Sequence, residues 1–318
     1  MNDTFYAVDV GGWEPHVEYL HKHLYEHADA KCLLWVNPAQ VDSFAESERV
    51  QDARMNVPIN HPRFDVNVGP YLVPLNLSVS ADADIFRDSV KLAWDAWDID
   101  SLHAMAGQPI GGWVVTTSDA KALATHWATR CHVHRRNGLT KLLRFHDPSV
   151  REWLWPSLNA LQQRALLGPA SSIFSIGRGL ELVKQQCETL APGLESDNFT
   201  RLLLSDDQWD QVEEYATVHA AWLAWTDARG DCATETRRSG WEQSVFAALV
   251  HATDYGIVDA QDRELFARHA LLLDAAFHTS SKMLPVWVKT RAGEYYGNAL
   301  EQVFGLPVDQ FNIQSLSA

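Results

Sequence analysis

The chain holds no apolar run approaching the roughly 18 residues that a membrane-spanning helix needs, so no transmembrane segment is expected. Its start, MNDTFYAVDVGG, has no basic stretch ahead of an apolar one; a secretory leader is not expected, and a cytoplasmic location is. Cysteine is scarce: Cys32, Cys131, Cys187 and Cys232 lie far apart with no CxxC spacing, which reads as buried, reduced thiols and not as a disulfide framework. Positive charge is also short. Lys and Arg number 26 against 41 Asp and Glu, a net charge of −15. Such a surface repels phosphate backbones and anionic membranes, so neither nucleic acid nor a membrane is an expected partner; it suits solubility, or a protein partner with a basic face.

Phosphate and nucleophile motifs are incomplete. VDVGG follows a strand-like segment but lacks the third glycine of GxGxxG, and IGRGLEL has GxG with no clear strand before it. GKS, GKT and a GxSxG serine are absent. No repeat, low-complexity tract or long linker interrupts the chain.

What is present is a core and many large rings. The 318 residues are 46% hydrophobic and 21% charged, enough for one large domain or two lobes. Thirteen tryptophans is a high count; most should be core, with a few left as exposed anchors for a partner.

The first half alternates in type. Strands are predicted at Phe5–Val10, Lys31–Val36, Gly69–Leu77, Gly112–Thr117 and Lys141–Phe145. Pro70 and Pro74 favour an edge or irregular strand for the third of these. Helices are predicted at Trp13–His27, at Asp84–Trp97, at Asp119–His132 after a Ser118 cap, at Ser149–Trp155 and at Asn159–Leu167. The alternation predicts an α/β lobe, with a mixed or largely parallel sheet flanked by helices, over residues 1–175.

From 176 to 318 an all-α lobe is predicted. Trp209, Val212, Ala216, His219 and Leu223 step along one helix face, with Tyr215, Val218, Trp222 and Trp225 on its neighbour. Trp241–Tyr255 repeats the pattern up to Gly256, Asp259 caps Ala260–Phe277, and a last helix is expected over Val286–Phe304.

His146–Asp147 invites a catalytic reading, yet adjacent residues project apart, and a dyad needs spatial contact. The structural reading makes Asp147 an N-cap with Pro148 at the first helical position, and gives Arg144 an acidic partner that fixes the strand-to-helix junction. For metal, His23 and His27 share a helical spacing, and CHVH offers Cys131, His132 and His134. The first pair lacks both the acid of HExxH and a third ligand, and the second sits at a helix end that suits histidine; no metal and no cofactor is expected. Trp94 with Trp97, and Trp222 with Trp225, have i,i+3 spacing. They are core packing in the plainer reading, or partner-binding anchors in the functional one. Asp95, Asp98 and Asp100 make the first pair the better candidate for an exposed edge.

The order FYAVDVGG, CLLW, GPYLVPL, GGWVVTTSDAKALATHW and LTKLLRFHDPSVREWLWPSLNALQQRALLGP resembles the adaptor, or effector-chaperone, family of bacterial type VI secretion (Tap/Tec proteins). RFHDPSV is similar to that family's RFYDPRV signature. It departs at His146 and Ser149 but keeps Arg144, Asp147 and Pro148, while Pro70 and Tyr71 open the PYLV element. The likeness covers residues 4–175 closely and the remainder loosely, through ATDYGI at Ala252–Ile257. It implies a non-enzymatic cytoplasmic protein of a Gram-negative bacterium. Such a protein binds one cognate secreted effector and helps load it onto the VgrG spike or its PAAR tip. Under that reading the two lobes are expected to grip an effector segment between them. The rival expectation is a metal-dependent or His/Asp hydrolase.

Overall fold

Strands alternate with helices through the first part of the chain, yet in the main sheet they pair antiparallel at every step. The computed structural model describes residues 5–6, 12–24, 29–38, 42–61, 68–104, 107–135, 138–187, 202–229 and 241–317. Two compact units divide between Trp209 and Asp210.

The first unit contains β1 (Phe5–Tyr6), α1 (Glu14–Leu24), β2 (Lys31–Val36), α2 (Glu48–Ala53), β3 (Met55–Asn56) and β4 (Tyr71–Leu75). Next come α3 (Ser80–Asp95), α4 (Ile99–His103), β5 (Ile110–Thr116), α5 (Ala120–Arg130), β6 (His132–His134) and β7 (Thr140–Leu142). Helices α6 (Pro148–Leu154) and α7 (Ala160–Leu167) and strands β8 (Ala170–Ile176), β9 (Leu182–Gln186) and β10 (Leu202–Leu203) follow.

Seven strands form the main sheet in the order β1-β9-β8-β5-β2-β4-β3, and each described neighbour pair is antiparallel. The sheet-and-helix architecture is as expected; the mixed or parallel orientation is not. Strand and helix periods identify β4-α3-β5 as a crossover unit, but they carry no sign that β2 enters between its strands and pairs with both. Among the described strands, a mixed pairing occurs only in the small sheet β10-β6-β7, where β10 runs parallel to β6 and β7 antiparallel to it. Of the expected strand at Lys141–Phe145, Lys141 and Leu142 belong to this small sheet within β7, and residues 143–145 are not strand. Of the expected strand at Phe5–Val10, residues 7–10 lie outside the described residues, as does His27.

Alternation along β2 splits the core in two. Cys32, Leu34 and Val36 face a cluster with Leu20, Phe86, Val90 and Trp113, closed by α1 and α3. Leu33 and Trp35 point the other way, under α5, α6 and α7. Trp35 stacks on Trp127 at 3.8 Å, and Trp127 donates to the Leu166 carbonyl at 2.9 Å, so the ring polarity is satisfied as it is buried. β4 lies second from the edge, but β3 covers only Tyr71 and Leu72. The Pro74 carbonyl accepts from Arg49 at 2.9 Å, so the side of Pro74 that lacks an N–H faces a locally open edge.

The boundary expected after residue 175 falls inside β8. β8 and β9 continue the sheet as a hairpin, and β10 pairs with β6, so the first unit runs on to Trp209. The GxG of Gly177–Gly179 is that hairpin's connection, with Leu180 at φ 60 and the Gly177 N–H bonded to the Glu181 carbonyl. A strand does precede this GxG, but no helix follows it. The first α5 cap is Asp119, whose carboxylate accepts from the Ala122 N–H at 2.7 Å; the expected Ser118 lies one residue too early.

Helices make up the described part of the rest: α8 (Asp206–Arg229), α9 (Trp241–Ala252), α10 (Ala260–Leu272), α11 (Leu284–Arg291), α12 (Tyr296–Phe304) and α13 (Ile313–Ser317). On α8 the buried face carries Val218, Ala221, Trp222 and Trp225, while Ala216 of the other expected face is exposed. Gly256 stops the turn after α9 in the left-handed region at φ 80, as expected. Asp259 caps α10, which ends at Leu272. The expected single helix over Val286–Phe304 is two helices. Gly293 at φ 96 breaks it, and the Gly293 N–H closes on Thr290. Phe266, Trp287 and Tyr296 form an aromatic core, with Tyr255 stacked on Trp287 at 4.3 Å.

Candidate functional site

The stretch around His146–Asp147, whose sequence invited both a chemical and a structural reading, is a densely tied joint of the first unit. Asp147 leaves the helical region at φ −85, ψ 117, and its Oδ1 accepts from the Ser149 N–H at 3.0 Å. Its Oδ2 accepts from Arg144 at 2.8 Å. Pro148 opens α6 at the position where its missing N–H costs nothing. Both oxygens of the carboxylate are thus occupied, one in starting a helix and one by Arg144, and the side chain is 6% exposed.

His146 is buried, and burial draws its imidazole down to about 4, with Asp147 opposing that shift. At neutral pH the ring is uncharged and shielded from solvent. A general base must come within hydrogen-bond reach of its substrate's proton, which the burial of this ring opposes.

Four residues after Asp147 sits the group that the sequence reading missed. Arg151 is 1% exposed. Its Nη1 donates to the Phe145 carbonyl at 2.9 Å, its Nε to Gln185 Oε1 at 3.1 Å, and its Nη2 to the Gly111 carbonyl. The guanidinium faces the rings of Trp35 at 5.3 Å and Phe145 at 5.7 Å. Burial pulls its pKa down to about 9, which still leaves it charged at neutral pH. One cation therefore joins α6 to its own entry turn, to β5 and to β9. Its partners are neutral acceptors and aromatic faces, an arrangement that suits the delocalised guanidinium better than a lysine.

Gly111 and Gly112 make room for this joint. A Cβ at Gly111 would lie 2.7 Å from the His146 carbonyl, and one at Gly112, where φ is 139, would lie 2.3 Å from the Phe174 carbonyl. Paired glycines inside a strand signal close backbone approach, so GGW was the clue to Arg151. The spacing Asp147–Arg151 hid it, because an i,i+4 pair reads as a surface ion pair.

Pro70 and Tyr71 form a second joint. The Pro70 carbonyl accepts from Val57 at 2.9 Å. The Tyr71 hydroxyl donates to Asp42 at 2.6 Å beneath Arg54, which lies 4.1 Å from the ring centre. Burial and then Asp42 push the phenol well above its ordinary pKa.

The aromatic anchors are placed differently from expectation. Trp97, read as part of an exposed edge, is 2% exposed and donates to the Ile176 carbonyl at 3.1 Å, so it belongs to the core. Trp94 is half-buried, edge-on to His16 at 5.3 Å. Trp222 and Trp225 are buried within the helical unit, where Trp222 stacks on Trp241. The i,i+3 spacing puts two rings on one side of a helix but does not say where on that side solvent begins. Cys32 and Cys131 are buried free thiols, both pushed up to about 12 by burial, and Cys187 is free and half-buried; Cys232 lies outside the described residues. Among the described residues no group of three or more His, Cys, Asp or Glu side chains is placed to hold a metal, and no helix is long and apolar enough to cross a membrane.

No curated protein and no solved structure matches the chain. The model of a family described as a domain of unknown function, DUF4123, matches residues 65–165, the stretch from just before Pro70 and Tyr71 to α7 that contains Pro70, Tyr71 and Arg144–Arg151.

Proposed function

We propose that this protein is a non-enzymatic adaptor that binds a cognate type VI secretion effector and helps load it onto the VgrG/PAAR spike, working in the cytoplasm of a Gram-negative bacterium. The observation that carries the reading is the family match over residues 65–165. It falls on the segment whose PYLV and RFHDPSV elements resemble the effector-chaperone family. The roles of these elements support it: Pro70, Tyr71, Arg144, Asp147 and Pro148 are engaged in holding backbone segments together. A rigid platform of this kind serves recognition, with affinity supplied by a few anchors elsewhere on the surface. The acidic charge of the chain favours fast encounter with a basic partner face.

The hydrolase reading gains nothing from the geometry of His146 and Asp147, since one is buried and neutral and the other is occupied by the helix cap and Arg144. Co-expression with the secreted toxin encoded nearest to it tests the adaptor role. The two proteins should co-purify as a stoichiometric complex at low and moderate salt. Separate elution under both conditions would overturn the proposal.

A further inference from the structure

The helical unit carries a groove of about 430 Å³ between α8, α9 and the turn leading into α10, within the roughly 300–1,000 Å³ typical of ligand pockets. Its apolar lining includes Phe246, Val250 and Val258. Val250 is 58% exposed and Val258 is 75% exposed, so two aliphatic side chains stand open to water at the same groove. Isolated exposed valines are ordinary; a pair lining one concavity is the pattern of a covered surface.

The rim is acidic. Among the described residues, Asp210, Glu213 and Glu214 line it with one cation, Arg263. That cation is already committed: it donates to Glu214 at 2.5 Å and to the Ile257 carbonyl and Thr253 hydroxyl at 3.3 Å each. The groove thus offers apolar area beside three carboxylates, on a chain whose net charge is −15.

We propose that this groove docks a segment of a partner protein bearing an aliphatic or aromatic side chain flanked by lysines or arginines. The apolar side chain fills the space beside Val250 and Val258, and the flanking cations meet the acidic rim. Opposite charge at a rim mainly steers encounter and fixes register, whereas the apolar anchor supplies affinity. The inference rests on the adaptor reading only for the partner's identity as a secreted effector.

The test uses the full chain and two probes. The first is a fluorescent synthetic peptide with leucine and lysine at helical spacing, beside a counterpart with glutamate for lysine. The lysine peptide should bind and protect residues 246–258 from hydrogen exchange, and the glutamate peptide should not. Val250→Ser with Val258→Ser, or Asp210→Lys with Glu213→Lys, should weaken binding at least tenfold with an unchanged melting temperature; all four positions are exposed, so folding is retained. Protection elsewhere, equal binding of the two peptides, no binding, or indifference to both variants would overturn the groove assignment. The second probe is the co-expressed effector. Capture by wild type and by both variants alike leaves the adaptor role standing and removes the groove. Groove protection by the peptide without any effector capture does the reverse.

Discussion

The sheet unit and the helical unit reach stability by different means. In the first, a buried cation and a set of polar joints fix where chain segments meet: Arg151 on three acceptors, Asp147 on a helix start, Tyr71 on Asp42. In the second, a pile of aromatic rings does the holding, with Tyr255 and Tyr296 each packed against both Phe266 and Trp287. The family match lies wholly within the first unit. Directional polar contacts demand particular residues at particular positions and leave a readable signature. Aromatic packing tolerates exchange of one large ring for another, and leaves a weaker one.

The sharpest way to break this comparison is to remove the cation. Arg151→Ala would leave two carbonyls and the Gln185 side chain without their donor and open a void beneath Trp35. About 3–5 kcal/mol of stability should disappear, read from urea unfolding. Arg151→Met should cost clearly less, because it fills the space and sheds the penalty of burying a charge. Equal losses for the two variants would mean that the joint works by volume alone, and the contrast between the units would fall.

Tryptophan truncation tests the other side. Trp287→Ala in the helical unit and Trp97→Ala in the sheet unit should each cost about 3–5 kcal/mol, since both rings are 2% exposed and hydrogen-bonded to a carbonyl. Trp94→Ala should cost less than half as much. A Trp94→Ala protein that keeps its melting temperature but loses the effector would make Trp94 a partner anchor.

Each unit also buries one strongly shifted histidine, so acid should weaken both. Burial draws His146 down to about 4 in the sheet unit and His269 down to about 3 in the helical unit. A folded pKa below the ordinary 6.5 means that the unfolded chain binds the proton first. The contribution is intact above about pH 6.5 and is lost as pH falls toward 4 or 3, at up to about 1.4 kcal/mol per pH unit for each histidine. Ring-proton shifts of both residues should stay flat from pH 8 to 5. A midpoint near 6 for either would show that its ring is open to water.

Much of this layout could be read from residue order. Asp147 with Pro148, Asn159 with Gln162 and Asp259 each announce a helix start, and each cap is present. Strands β2, β4 and β5 were legible as apolar runs bounded by glycine or proline, whereas β8 and β9 were not predicted. Strand order was not, since β2 enters between β4 and β5 through pairing that local periodicity does not encode. The break at Gly293 was missed because one glycine in an apolar helical pattern is often tolerated. Arg151 was missed because charge normally marks an outer face, and only the paired glycines opposite it hinted otherwise. The groove beside Val250 and Val258 left no linear trace at all: its walls come from separate helices.

The smallest effect addresses the joint that first looked chemical. Asp147→Asn keeps a good N-cap, because an amide oxygen still accepts from the Ser149 N–H, and gives up only the charge interaction with Arg144. Arg144 is 52% exposed, so that ion pair is worth less than about 1 kcal/mol. Arg144→Ala should therefore shift the urea midpoint only slightly, and Asp147→Asn by a similar amount, whereas Asp147→Ala should lose about 1 kcal/mol more through the cap. The three variants order the joint's parts without touching Arg151. If Asp147→Asn proved as damaging as Asp147→Ala, the negative charge itself would be holding the junction, and the nearby buried guanidinium of Arg151 would be the group that requires it.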